Sequence, residues 1–125
     1  MADRISKYII LEDAYYTDLD ISETVRRLRS GYPLLRLTDE TSEAVRMIYR
    51  EDADMMIADT SASDGDSIGR LKKESVSIPI IFISEYSEDA ERARNLNMVD
   101  FILKPVTPSD LERAFSRLDS MNNNL

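Results

Sequence analysis

Four apolar runs in this chain each end in a polar residue, and together those ends suit one kind of chemistry. Tyr8-Ile9-Ile10-Leu11 runs into Glu12-Asp13, and Met55-Met56-Ile57-Ala58 runs into Asp59. Ile80-Ile81-Phe82-Ile83 runs into Ser84, and Phe101-Ile102-Leu103 runs into Lys104-Pro105. In an open parallel sheet, ligands bind outside the carboxyl ends of the strands. Read as such strands, the runs bring three carboxylates, one hydroxyl and one ammonium to a shared rim. Three carboxylates within ~5 Å of one another repel by several kcal/mol, and without compensation one takes up a proton. Mg²⁺ relieves that repulsion, because it prefers oxygen ligands and commonly bridges carboxylates to a phosphate. Lys104 and the Ser84 hydroxyl can hold the remaining phosphoryl oxygens. Singly, each residue has a bland explanation: an Asp after a strand caps helices, and Ser84 or Lys104-Pro105 can be turn punctuation. It is the combination that argues for a site.

The elements that must position these residues alternate. Strand patterns fall at residues 5–11, 34–37, 54–58, 79–83 and 100–103. The central runs are apolar without alternation, as in parallel strands covered on both faces. Leu34-Leu35-Arg36-Leu37 is less apolar and reads as an edge. Helical patterns lie between them. The last opens with Thr107, Pro108 and Asp110 at capping-box spacing, then carries Leu111, Ala114, Phe115 and Leu118 on one face. Residues 42–50 place Ala44, Met47 and Ile48 together, and residues 18–29 carry Leu19, Val25 and Leu28, with Gly31 as a stop. Residues 67–74 and 87–96 have thin apolar faces, the latter with Ser87 as cap and Asn97 as a left-handed stop. Little burial predicts mobile elements there. Right-handed crossovers then imply an α/β, flavodoxin-like, doubly wound five-stranded parallel sheet of order 2-1-3-4-5 with five helices. Residues 1–120 form one domain, and 121–125 read as a frayed tail or the start of a linker.

Composition excludes several classes. The 125 residues have an ordinary apolar fraction of 42% and a net charge of −8, which argues against direct nucleic-acid or anionic-membrane binding. There is no Cys and no His, so thiolate chemistry, imidazole bases and Cys- or His-based zinc sites are absent. No stretch approaches the ~18 apolar residues of a membrane span, and Met1-Ala2-Asp3-Arg4 lacks a signal-peptide core. A cytoplasmic location is the expectation.

The constellation resembles the receiver domain of two-component response regulators over nearly the whole chain. The resemblance is strongest from Ile78 to Leu111, in Ile-Pro-Ile-Ile-Phe-Ile-Ser-Glu-Tyr-Ser and Val-Asp-Phe-Ile-Leu-Lys-Pro-Val. That stretch is most similar to receivers attached to LytTR-type DNA-binding domains. The resemblance implies Asp59 as phosphoacceptor, with Asp13, Asp59 and the Ser61 carbonyl as Mg²⁺ ligands and Glu12 assisting through water. It implies Ser84 as switch hydroxyl, Lys104 as phosphoryl-binding lysine and Phe101 as switch aromatic. The implied partners are a sensor histidine kinase or phosphotransfer protein, an effector domain in a longer chain, and a second copy docked through the face of the fourth helix, fifth strand and fifth helix. Such a domain catalyses its own phosphorylation and slow dephosphorylation without being a turnover enzyme.

Three features depart from the family's pattern. The loop Thr60-Ser61-Ala62-Ser63-Asp64-Gly65-Asp66-Ser67 has no Pro and an early Gly, Glu85 replaces a small residue, and Tyr15-Tyr16 replaces a Glu-Pro region. These keep open a degenerate receiver acting as a phosphorylation-independent interaction module. A flavodoxin-like cofactor binder fits less well, because two acids open the loop that would hold its phosphate. Asp18-Leu19-Asp20-Ile21-Ser22 is similar to the start of a haloacid-dehalogenase motif, but no apolar strand precedes it, so it reads as a helix approach. Asp64-Gly65-Asp66 lacks the rest of a calcium loop, Arg26-Arg27-Arg29 reads as a solvated face, and Met55 and Met56 read as core.

Overall fold

The computed structural model describes residue 5 and residues 7–123. The elements are β1 (Tyr8–Leu11), α1 (Ile21–Leu28), β2 (Leu34–Thr38), α2 (Thr41–Glu51), β3 (Met55–Asp59), α3 (Ser67–Lys73), β4 (Ile80–Ser84), α4 (Asp89–Arg92), β5 (Met98–Leu103) and α5 (Pro108–Asn123). The strands form one parallel sheet in the order β2-β1-β3-β4-β5, as expected. Every residue of β1, β3 and β4 is buried, whereas most of β2 is partly or fully exposed at its edge.

Strand side chains alternate between two cores, because successive Cβ atoms point to opposite faces. Ile10, Ile57, Ile81 and Ile83 meet Val25 of α1 and Leu111, Ala114, Phe115 and Leu118 of α5. Ile9, Leu11, Met56 and Phe82 meet Ala44 and Ile48 of α2, Leu71 of α3, and Ala93 and Leu96. The stripe read on α5 is entirely buried, and each such large side chain stabilises the fold by about 1.5–3 kcal/mol. Its capping box is formed: the Thr107 N–H donates to Asp110 Oδ2 (2.9 Å) and the Asp110 N–H to Thr107 Oγ1 (3.2 Å).

Several boundaries differ from the sequence reading. Helix α1 begins at Ile21 rather than residue 18, because Asp20 caps it through the Glu23 N–H, and it ends before Gly31. Leu19 therefore packs from the approach loop. Arg29 is not simply solvated: it pairs with Glu112 at 2.8 Å and stacks on Phe115, joining α1 to α5. Helix α4 is one turn, not the ten residues read from 87 to 96, and Asn97 does not take a left-handed conformation. Its apolar face holds too little area to sustain a longer helix, and Ser87 does not cap it. At the other end, α5 continues to Asn123, so residues 121–123 are helix rather than tail; Asn124, Leu125 and the start Met1–Arg4 lie outside the described residues.

The loop after β3 has a structural task that the sequence concealed. Asp64 accepts from the Thr41 N–H (2.8 Å), the Ser42 N–H (3.0 Å) and Ser42 Oγ (3.1 Å), so it caps α2 from another segment. Glu40, at the N-cap position itself, makes no such bond. Those bonds hold the Asp64 carboxyl below its ordinary range even though burial works against them. Asp64→Ala is expected to cost about 1–2 kcal/mol by urea unfolding, the usual value of a lost cap. Glu40→Ala should cost less than half of that.

Candidate functional site

The carboxyl ends of β1, β3 and β5 deliver their polar residues to one place. Lys104, one residue past β5, sends its side chain back over the sheet. Its Nζ lies 2.8 Å from Asp59 Oδ2 and 3.3 Å from Asp13 Oδ2. The Lys104 and Asp59 side chains are each only 5% exposed, so solvent screens this contact poorly. The free oxygens are also held: the Ser61 N–H donates to Asp59 Oδ1 (2.9 Å) and the Tyr15 N–H to Asp13 Oδ1 (3.0 Å). Both carboxylates are thus oriented by their own following loops.

Tyr16 completes the enclosure. Lys104 Nζ sits 4.4 Å from the centre of the Tyr16 ring, and the Val106 N–H donates to the Tyr16 hydroxyl (2.7 Å). One aromatic residue therefore ties the β1–α1 loop to the β5–α5 loop and covers the ammonium. Only the departure at Tyr15-Tyr16 was legible in sequence; the role of Tyr16 needs two loops seen together. Tyr15 itself is 93% exposed.

Charge is out of balance here. Beside Asp59 lies a pocket of about 390 Å³ lined by Glu12, Asp13 and Asp20 at its polar end, with Ile10, Ile57 and Ile83 below. Burial pushes the Asp59 carboxyl above its ordinary range, against the pull of Lys104 and the Ser61 N–H. Glu12 is also pushed up, by burial first and then by Asp39, Asp20 and Asp13. Burial works against the Lys104 ammonium, yet Asp59 and Asp13 outweigh it and raise its pKa. Glu12, Asp13 and Asp59 line one pocket, but among the described residues no three acids are drawn together as a ready metal site. Lys104 bridges Asp13 and Asp59, while Glu12 feels Asp39 and Asp20 more than Asp13. Mutual repulsion keeps such acids apart where no cation compensates them. A surplus of carboxylate oxygens over one ammonium is a donor set suited to a hard divalent ion.

The other expected residues are close by but engaged elsewhere. Ser84 is fully buried and bonded to Thr60 and Asp89 rather than to Asp59. Phe101 is partly buried and packs against the core beneath α2 and α3. Glu85 is exposed and does not line the pocket, so it does not obstruct Asp59 there. Asp20, Thr60 and Asp89 belong to the neighbourhood without having been singled out for it. Their residue types carry no distinguishing pattern in the sequence.

Comparison with known proteins agrees with this arrangement. Residues 9–116 match the family model described as response regulator receiver domain. The chain is 28% identical over 110 residues to the transcriptional regulatory protein NatR of Bacillus subtilis, covering 86% of this chain and 47% of that protein. It is 24% identical over 120 residues to the sensory transduction protein LytR of Streptococcus agalactiae, covering 93% and 49%. The chain therefore spans about half the length of these curated relatives. A CheY-like receiver domain protein from Methanospirillum hungatei superposes with a TM-score of 0.75 at 18% identity, covering 97% of this chain and 98% of that one. No helix among the described residues is long and apolar enough to cross a membrane.

The raised Glu12 carboxyl has a defined consequence for stability. A carboxyl whose folded pKa is raised loses stability as pH climbs from its unfolded value through its folded one. Glu12→Gln is therefore expected to raise the urea midpoint at pH 7 and to leave it unchanged at pH 3, where both states are protonated.

Proposed function

The chain belongs to the response regulator receiver domain family, and on that premise we propose that Asp59 accepts a phosphoryl group from a phosphohistidine on a sensor histidine kinase or phosphotransfer protein. The observation that carries this reading is the buried Asp59 carboxylate beside Lys104, with Asp13 on the same ammonium. An Asp59 oxygen attacks phosphorus in line with the leaving nitrogen. The P–O bond forms as the P–N bond breaks, the electron pair returns to the imidazole, and the product is an acyl phosphate. Lys104 is already desolvated and aimed at the acceptor, so it can neutralise developing charge without reorganising. Asp13, Asp59 and the Ser61 carbonyl are the residues that would hold Mg²⁺, with Glu12 acting through water. That ion would supply the remaining neutralisation of the phosphoryl oxygens.

After transfer, Ser84 turns toward the new oxygens and Phe101 moves into the vacated space. The readout is a change in the face made by α4, β5 and α5. On that face Asp100 is buried and accepts from Arg113 Nε (2.9 Å) and Arg117 Nη1 (2.5 Å) of α5, which couples strand and helix. A second copy, or an effector domain in a longer chain, is the partner proposed for it. The greater length of the curated relatives supports the latter.

A second reading, a phosphorylation-independent interaction module, is favoured by the acids not being gathered as a ready metal site. One experiment separates the two. Acetyl phosphate with Mg²⁺ is expected to label the wild type, and mass spectrometry should place the added phosphoryl on Asp59. Chelating the metal or substituting Asp59→Asn should abolish labelling, and Lys104→Ala should slow it roughly 10²-fold. Labelling that survives in Asp59→Asn defeats the assignment. A folded wild type that neither labels nor binds Mg²⁺ supports the interaction module.

A further inference from the structure

The Ser84 hydroxyl has no hydrogen-bonding capacity left. A serine hydroxyl offers one proton and two lone pairs. Thr60 Oγ1 donates to it at 2.9 Å, and the Tyr86 N–H donates to it at 2.9 Å. Its own proton has two acceptors in range: Asp89 Oδ2 at 2.7 Å and the Tyr86 carbonyl at 3.3 Å. The shorter contact goes to a carboxylate, and charge-assisted hydrogen bonds are the stronger kind. The bond is sheltered, since Ser84 is 0% and Asp89 8% exposed. Asp89 is anchored in turn: its Oδ1 lies 3.4 Å from Arg92 Nη1, and Arg92 Nη2 lies 2.6 Å from Asp66 Oδ2 at the start of α3.

We propose that Asp89 is a latch that holds the Ser84 hydroxyl away from the phosphoacceptor, so that phosphorylation must break the Ser84–Asp89 bond before the domain can switch. This rests on the reading that Asp59 is phosphorylated and Ser84 answers it. Ser84 has a single proton and cannot donate to Asp89 and to a phosphoryl oxygen at once. Giving up Asp89 frees the first residue of α4. That helix is a single turn, so its local opening requires the loss of few backbone bonds. The latch thus couples one hydroxyl to the most weakly built element of the output face. It makes Asp89 a positioning residue that opposes activation.

The test uses beryllofluoride with Mg²⁺ as a phosphoryl mimic, titrated against wild type, Asp89→Ala, Ser84→Ala and the double variant. Removing Asp89 is expected to tighten beryllofluoride binding about tenfold, equivalent to about 1.4 kcal/mol. The tightening should disappear in the Ser84→Ala background, because the latch acts only through that hydroxyl. Asp89→Asn, which keeps an acceptor without the charge, should fall between wild type and Asp89→Ala. Amide hydrogen exchange on residues 86–96 should quicken in unliganded Asp89→Ala. A gain that persists without Ser84 would mean that Asp89 acts through Arg92 and general loosening, and would overturn the latch. A wild type that binds the mimic while Asp89→Ala binds no tighter removes the latch alone. A wild type that binds neither the mimic nor a phosphoryl group removes the phosphoacceptor reading and the latch with it.

Discussion

Everything around the site depends on one ammonium placed between two carboxylates under cover. Lys104 reaches Asp59 and Asp13 in a region where water screens little. Without Lys104, Asp59 would be a buried acid with only a backbone N–H for support, and proton uptake would be its easiest relief. With it, burial still pushes the Asp59 carboxyl upward, but the adjacent ammonium pulls the other way. The contact requires the ends of β1 and β3 to lie side by side and the residue after β5 to reach back across the end of β4. Strand order 2-1-3-4-5 provides that adjacency for β1 and β3, and the loop after β5 returns Lys104 over both.

The residual charge is what makes this place a candidate for a cation. Glu12, Asp13 and Asp20 line the pocket with Asp59, and Asp39, Asp20 and Asp13 add to burial in raising the Glu12 pKa. A divalent ion would relieve that repulsion. Burying these charges costs stability, as is common at sites that must hold charge.

Rigidity is unevenly distributed. The acids sit on fully buried strands backed by two cores, and the turn that carries Lys104 is braced by Tyr16. On the opposite side, α4 has one turn and is tied down by side-chain bonds from Asp89 and Arg92. The candidate site thus stands on firm strands, while α4 is the least firmly built helix beside it.

The apolar runs, the polar residue at each end and the stripe on α5 carried the sheet and its order in the sequence alone, and pointed to the place where Lys104 lies between Asp13 and Asp59. Those features are local and periodic, so burial leaves them visible one residue at a time. Boundaries were less legible where competing caps decided them, as when Asp20 shortened α1, or where burial was thin, as in α4. What only the tertiary structure decided was the partnership of residues distant in the chain. Asp64 caps a helix that starts 23 residues earlier, Tyr16 roofs Lys104, and Asp89 accepts a hydrogen bond from Ser84. The physical reason is that a single Asp or Tyr reads the same in sequence whether it faces solvent or closes a buried bond. Its partner exists only once the chain has folded around it.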